Sequence, residues 1–253
     1  MQRKLPLQTL LLVGAFVAGF RLIAEIPAST AAGLAGFGRH GMTHEGVSGT
    51  IWNGKLRSAR VHGLDVGDVD FALRAPSLFL GRLKADVKLS GGALTGAGAV
   101  GFGVGGLVTI EDSAFELDLG VATRYNFLGA PLKGRLSADV GRVALRSGKC
   151  EDALIRFDTD VLAEPARRLK GQAFVLSGDG SCRDGSFVAS LSGQGQDGAG
   201  ALTVEIAPDL SFALHATAQP ARSELSDALR ALGFKDDEGR LTLAMSGVVR
   251  AGS

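Results

Sequence analysis

Beyond Gly46 the chain alternates apolar and polar residues over short runs. Residues 66–73 read VGDVDFAL, and the same pattern recurs at 83–89, 115–119, 136–140, 202–206, 210–215 and 241–245. A period of two sets one row of side chains on a buried face and the next toward water. Gly- or Pro-containing turns separate the runs, as in antiparallel meanders. The pattern predicts a mainly β fold: a long, twisted antiparallel sheet, curved or folded into a sandwich. One short helix near the C-terminus interrupts it. Ser223 reads as its N-cap, Glu224 and Asp227 sit in the first turn, Leu225, Leu229 and Leu232 share one face, and Gly233 stops it. Such a helix is expected to cover an open sheet edge.

Residues 91–106, GGALTGAGAVGFGVGG, match G-x-G-x-x-G twice, at Gly96, Gly98 and Gly101 and at Gly101, Gly103 and Gly106. A dinucleotide site needs a strand before and a helix after that motif. Here LVTI and FELDL follow and read as more strand. The glycines are therefore expected to thin one face of a strand, letting another surface approach or the sheet bend.

The apolar pattern changes character at the N-terminus. Residues 5–26 read LPLQTLLLVGAFVAGFRLIAEI and are apolar without interruption over 10–20, through Leu10, Leu11, Leu12, Val13, Phe16, Val17 and Phe20. As a helix this segment would reach about 33 Å, enough to span a bilayer core. Arg3 and Lys4 precede it, which predicts a cytoplasmic N-terminus and an exported remainder. Arg21, near the outer end, would snorkel to the headgroups. A cleaved signal peptide is the alternative, with Ala28, Ser29, Ala31 and Ala32 supplying small residues for cleavage. Gly14 and Gly19 are not at GxxxG spacing, so no helix-dimerisation motif is present. The expected organisation is a cytoplasmic N-terminus at 1–4, an anchor at 5–26, a linker at 27–46 and a periplasmic β-rich domain at 47–253.

Composition narrows the function. The 253 residues suffice for one large β domain or two small ones. A formal net charge of +1 disfavours nucleic acid as a partner. Cys150 and Cys182 lie in no CxxC pair, so neither a redox motif nor a zinc ribbon is indicated; in an exported domain they can form a disulfide, in a cytosolic one free thiols. His40 and His44 have i,i+4 spacing, but GFGRHGMTHEG is too Gly-rich for a helix, and Glu45 is poorly placed as a third ligand. His62 and His215 lie in strand-like runs. There is no HExxH, and GVSGT around Ser48 lacks the last Gly of a nucleophile elbow. Nothing nominates a nucleophile with its base, so no catalytic, metal or cofactor site is expected.

Three stretches carry a resemblance. GTIWNG contains the only Trp of the chain, within Gly49, Thr50, Ile51, Trp52 and Gly54. FALRAPSLFLGRL follows it, and LGFKDDEGRLTLAMSG closes the chain. Together with the N-terminal apolar segment these resemble the type II secretion system protein N family, also called general secretion pathway protein N. Members usually show a Trp before the Pro-x-x-Leu turn, where this chain has Phe71. The resemblance implies a non-enzymatic accessory component of protein export across the outer membrane. It also implies a single-pass inner-membrane anchor, a periplasmic β domain, and inner-membrane platform or secretin subunits as partners. Trp52 is expected as a core anchor of the first strand, since Ile51 and later apolar runs offer packing; an exposed contact to a partner or to the membrane is the other reading. Edge strands could add partner strands. The alternative function is a periplasmic lipid-binding or lipid-bridging β-groove of AsmA-like type, with membrane lipid as partner. A wide open apolar groove would favour lipid; a closed, filled core would favour a protein scaffold.

Overall fold

The computed structural model describes residues 26–30, 41–61, 64–78, 81–121, 126–127, 130–131, 133–168 and 170–248. The first half comprises β1 (Met42–Thr43), β2 (Gly46–Gly49), β3 (Asn53–Val61), β4 (Leu64–Leu73), α1 (Ala75–Leu78), β5 (Leu83–Gly91), β6 (Leu94–Gly103) and β7 (Leu107–Asp118). Then follow β8 (Asn126–Phe127), β9 (Ala130–Pro131), β10 (Arg135–Arg146), β11 (Lys149–Thr159), α2 (Ala163–Arg168), β12 (Leu176–Arg183) and β13 (Ser186–Gly195). The chain ends through β14 (Gly198–Ile206), β15 (Ser211–Pro220), α3 (Ser223–Ala231), β16 (Lys235–Asp237) and β17 (Arg240–Val248).

Fifteen strands form one hydrogen-bonded sheet in the order β1-β3-β4-β5-β6-β7-β10-β11-β12-β13-β14-β15-β17-β16, with β2 also paired to β3. Every pairing is antiparallel. The sheet is thus a meander, broken only where the β8–β9 ribbon leaves between β7 and β10 and where α3 crosses from β15 to the edge. It begins at Met42, inside the stretch read from the sequence as a linker.

Local sequence sets the turns. Ser147-Gly148, Asp184-Gly185 and Glu238-Gly239 are two-residue hairpin loops, and all six residues have positive φ. That is the type I′ geometry whose twist matches the flanking strands, and Gly at the second position carries it without strain. Bulges then bend the strands. Ser58 sits at positive φ where the β3–β4 register shifts. Asp112, also at positive φ, lies unpaired in β7 opposite the unpaired Gly141 of β10. Bulges of this kind increase local twist and curvature.

The buried interior is thin. No described side chain larger than alanine is fully enclosed, and the two buried clusters join only neighbouring strands. One gathers Val140, Val143, Cys150 and Ala153; the other gathers Leu176, Ala189 and Leu191. Cys150 and Cys182 are joined as a disulfide with a Cα–Cα distance of 5.4 Å. The β11–β12 ladder ends at Ile155 and Gly180, so this bond holds the two strands together past their last hydrogen-bonded pair.

Two expectations need correction. Among the described residues α3 is not alone, since α1 and α2 are short helices too. Pro76, between β4 and β5, lies in the first turn of α1, where its missing N–H costs nothing. Ser223 is not the N-cap of α3: it is the first helical residue, and the extended Arg222 before it makes no side-chain cap. The other end of α3 is as the sequence indicates. Gly233 has φ +96°, its N–H donates to Arg230 O, and the N–H of Phe234 donates to Leu229 O, a Schellman closure. Among the described residues no helix is long and apolar enough to cross a membrane. The expected anchor, including Leu10, Leu11, Leu12, Val13, Phe16, Val17 and Phe20, lies outside the described residues.

Candidate functional site: the clasped turn and the apolar face

The GTIWNG segment is the turn that joins β2 to β3. Gly49 and Gly54 are its closing pair. Across the turn the Thr50 N–H donates to Asn53 O at 2.9 Å, and the Asn53 N–H reaches Thr50 Oγ1 at 3.3 Å. Gly49 has φ +86°, and a Cβ there would meet Asn53 O at 2.4 Å, so both backbone angle and space require glycine. A Cβ on Gly54 would meet the Phe71 ring at 2.5 Å. Phe71 is paired with Gly54 in the β3–β4 register and lies over it.

The turn also grips the incoming chain. Ile51 N–H donates to Ile26 O at 3.0 Å, and Pro27 and Thr50 form an isolated antiparallel bridge. Ala28 is 2% exposed. On the other side Leu73 N–H donates to Trp52 O at 2.8 Å. Trp52 is half-buried, neither a sealed core residue nor an exposed one. The motif therefore ties three segments together at one point: the residues following the apolar N-terminal stretch, the first hairpin, and the end of β4.

Paired residues in an antiparallel sheet project from the same face, so the registers define rows that run across the strands. One row passes Leu56, Val69, Leu89, Gly96, Phe115, Ala138, Phe157, Gly178, Leu191, Leu202, Ala216 and Leu243. Every member is apolar. A neighbouring row on the same face runs from Val140 through Ile155, Gly180, Ala189, Val204 and Leu214 to Met245. At a strand spacing of about 4.8 Å, the longer row extends about 50 Å. Its side chains are half-buried or buried.

Phenylalanines cover the glycines of this face. Besides Phe71 on Gly54, Phe115 lies on Gly96, Phe157 and Phe187 on Gly180, and Phe212 on Gly247; a Cβ at each glycine would come within 3 Å of the ring. In the Gly-rich stretch, expected to admit another surface or let the sheet bend, Gly96 accepts the Phe115 ring, Gly98 meets the Ser113 side chain, and the β6–β7 register shifts between Ala97 and Ala99.

The opposite face is polar. The row from Lys55 through Asp70 and Lys88 leads to Asp139, Arg156, Asp179, Ser190, Thr203 and His215. Ion pairs lace it: Lys55 with Asp68 and Asp70, Arg74 with Asp86, Lys84 with Glu111, Arg142 with Asp152 and Arg146 with Glu151. The Lys55 ammonium, with the Ser58 N–H, holds the Asp68 carboxyl below the ordinary carboxylate range, and Asp68 in turn raises Lys55. Lys84 lowers Glu111 in the same way. A cleft on this face beside Asn53 is bounded by Asp70, Arg74, Asp86, Lys88 and Asp112.

His215 is exposed on the polar face, and His44 is exposed between β1 and β2; His40 and His62 fall outside the described residues. No cluster of three metal-ligating side chains forms among the described residues. After Gly106 a strand follows rather than a helix, so the Gly-rich stretch is not a nucleotide loop.

The family described as Type II secretion system (T2SS), protein N, matches residues 40–244. The Type II secretion system protein N of Vibrio cholerae serotype O1 (strain ATCC 39315 / El Tor Inaba N16961) is 30% identical over 118 residues, which is 45% of this chain and 46% of that protein. The chain thus aligns with about half the length of that relative. No solved structure matches. The family match spans the sheet from just before β1 into β17, and the chain belongs to the type II secretion system protein N family.

Proposed function

We propose that the chain is a non-enzymatic accessory subunit of the type II secretion system. The residues before Ile26 anchor it once through the inner membrane, and the sheet stands in the periplasm, where it contacts inner-membrane platform subunits or the secretin. The family match over nearly the whole sheet carries this reading. The clasp at Ile26 and Thr50 supports the orientation, because it holds the chain that leaves the apolar segment against the first hairpin.

The test is affinity purification of the full chain from native membranes, followed by mass spectrometry, beside a secretion assay in a deletion strain. Recovery of platform or secretin subunits, with exported substrate retained in the periplasm of the deletion strain, is expected. Normal secretion without the chain, and no secretion subunit in the eluate, would defeat the proposal.

A further inference from the structure

We propose that the apolar face is a binding site for the acyl chains of membrane lipid, laid across the strands along the row from Leu56 to Leu243. This rests on the membrane-anchored reading above, and goes beyond it.

The chemistry of the face selects the occupant. Along the twelve-strand row no side chain carries a polar atom. In the neighbouring row the polar exception is Ser113, paired with Val140, and its hydroxyl donates to Glu111 O at 2.7 Å. The two cysteines packed against Val140 and Val143 are joined to each other. Thr159, beyond Phe157 on the same face, is buried and donates its hydroxyl to Arg135 O, so these rows offer no free hydrogen bond to a ligand. An extended peptide laid on them would leave backbone groups unsatisfied, whereas an acyl chain has none to satisfy.

Position supplies the occupant. The apolar stretch at residues 5–26 ends at Ile26, whose carbonyl is hydrogen-bonded to Ile51 in the turn that opens β3. Leu56, the first member of the row, lies in that same strand. The row thus begins at the clasp, next to the point where the chain leaves the bilayer, and runs away from it strand by strand. The floor is also recessed between larger neighbours. Ala189 and Ala216 on the apolar face are buried or half-buried, while Ala201, Ala213 and Ala244 on the polar face of β14, β15 and β17 are exposed.

The experiment places a photoreactive benzoylphenylalanine, one position at a time, in the full chain expressed in its host. Val204 and Leu214 are paired on the apolar face; Thr203 and His215 are paired on the polar face of the same two strands. These strands lie far along the row from the clasp, so plain contact with the bilayer would not favour one face. Cells labelled with phosphate and acetate are irradiated, membranes are washed, and adducts are identified by mass spectrometry. Phospholipid adducts about tenfold more abundant at Val204 and Leu214 than at Thr203 and His215 are expected. A second variant, Val204→Glu, puts a carboxylate on the face and should lower lipid co-purifying with the full chain by about tenfold, while Thr203→Glu should not. Disulfide formation in each variant reports that it folds.

Protein adducts at the apolar positions, equal lipid labelling of both faces, or absence of lipid adducts from a membrane-retained chain would each overturn the proposal. Membrane retention itself is read from the wash. Loss of the anchor and loss of the lipid site are therefore separate results.

Discussion

At the scale of single residues, the glycine–phenylalanine contacts explain how a chain with few aromatics holds a sheet this wide. A ring laid on a cross-strand glycine buries apolar surface without adding thickness. Gly54 and Phe71 are the pair to test. Gly54→Ala should destabilise the protein by about 1–3 kcal/mol, because the new methyl group meets the ring. Adding Phe71→Ala should recover part of that loss, with a coupling of about 0.5–3 kcal/mol. Urea unfolding of the four species of the cycle measures it; additive effects would mean that the ring does not lie where described. Trp52 is the only Trp, so its fluorescence reports on the same turn. Gly49→Val, at φ +86° with Asn53 O in the way, should shift Trp52 emission to longer wavelength as the clasp opens. The ion pairs of the polar face make a third prediction. Asp68, Asp86 and Glu111 are all held below their ordinary values by hydrogen bonds, the largest cause in each case, from Lys55, Arg74 and Lys84. A depressed carboxyl stabilises the fold above its unfolded-state value and loses that contribution as pH falls through the folded one. Thermal stability should therefore be level across neutral pH and decline below about pH 4. The decline should be shallow, since these pairs are solvent-exposed and added salt screens them.

At the scale of elements, the disulfide has a defined task. It joins β11 and β12 where their ladder has already ended, and it closes a loop with a sequence separation of 32. Cys150→Ser with Cys182→Ser should cost about 3–4 kcal/mol in the chain-entropy model, lower the melting temperature, and raise hydrogen exchange first at the Lys149 and Arg183 ends of the two strands. A pair of variants as stable as the parent would show that the ladder alone suffices. Legibility from sequence differs sharply among the strands. β5, β14, β15 and β17 alternate over most of their length, and β4, β7 and β10 over the runs named above, so period two exposes them. β12 and β13 do not: LSGDGSCR and SFVASLSGQG are too rich in Gly and Ser for alternation to show. In β12 the apolar cover of Gly180 comes from Phe157 of β11 and Phe187 of β13, which no window within β12 contains. The clasped turn was visible as a motif, through its glycines and lone Trp. Its purpose was not, because the contact that matters runs between backbone groups of Ile51 and Ile26, and backbone groups have no sequence signature. The unbroken apolar row was hidden for a similar reason. Alternation is at most a property of one strand, and only the registers and bulges decide which residues of twelve strands fall in line.

At the scale of the molecule, a sheet whose strands contact mainly their sequence neighbours behaves like a linear array. Stability then approximates a sum of strand and neighbour terms, as in repeat proteins. Two consequences follow from where those terms are largest. Both buried clusters and the disulfide lie between β10 and β13. The edges are weaker: β1 and β2 are short and separated by His44 and Glu45, and β16 is three exposed residues, Lys235–Asp237. Charged, abbreviated edges of this kind also discourage unwanted strand addition. Native-state hydrogen exchange should show a gradient, with the slowest amides in β10–β13 and protection falling stepwise toward β3 on one side and β17 on the other. Denaturant unfolding should be broad, because edge hairpins can open without the centre. A domain closed around one filled core would instead exchange its slowest amides together, at the global unfolding free energy, and unfold in a single steep transition. Uniform slow exchange across the sheet would exclude the linear array. A gradient centred on β10–β13 would show a firm middle, set by the two clusters and the disulfide, and ends that open at lower cost.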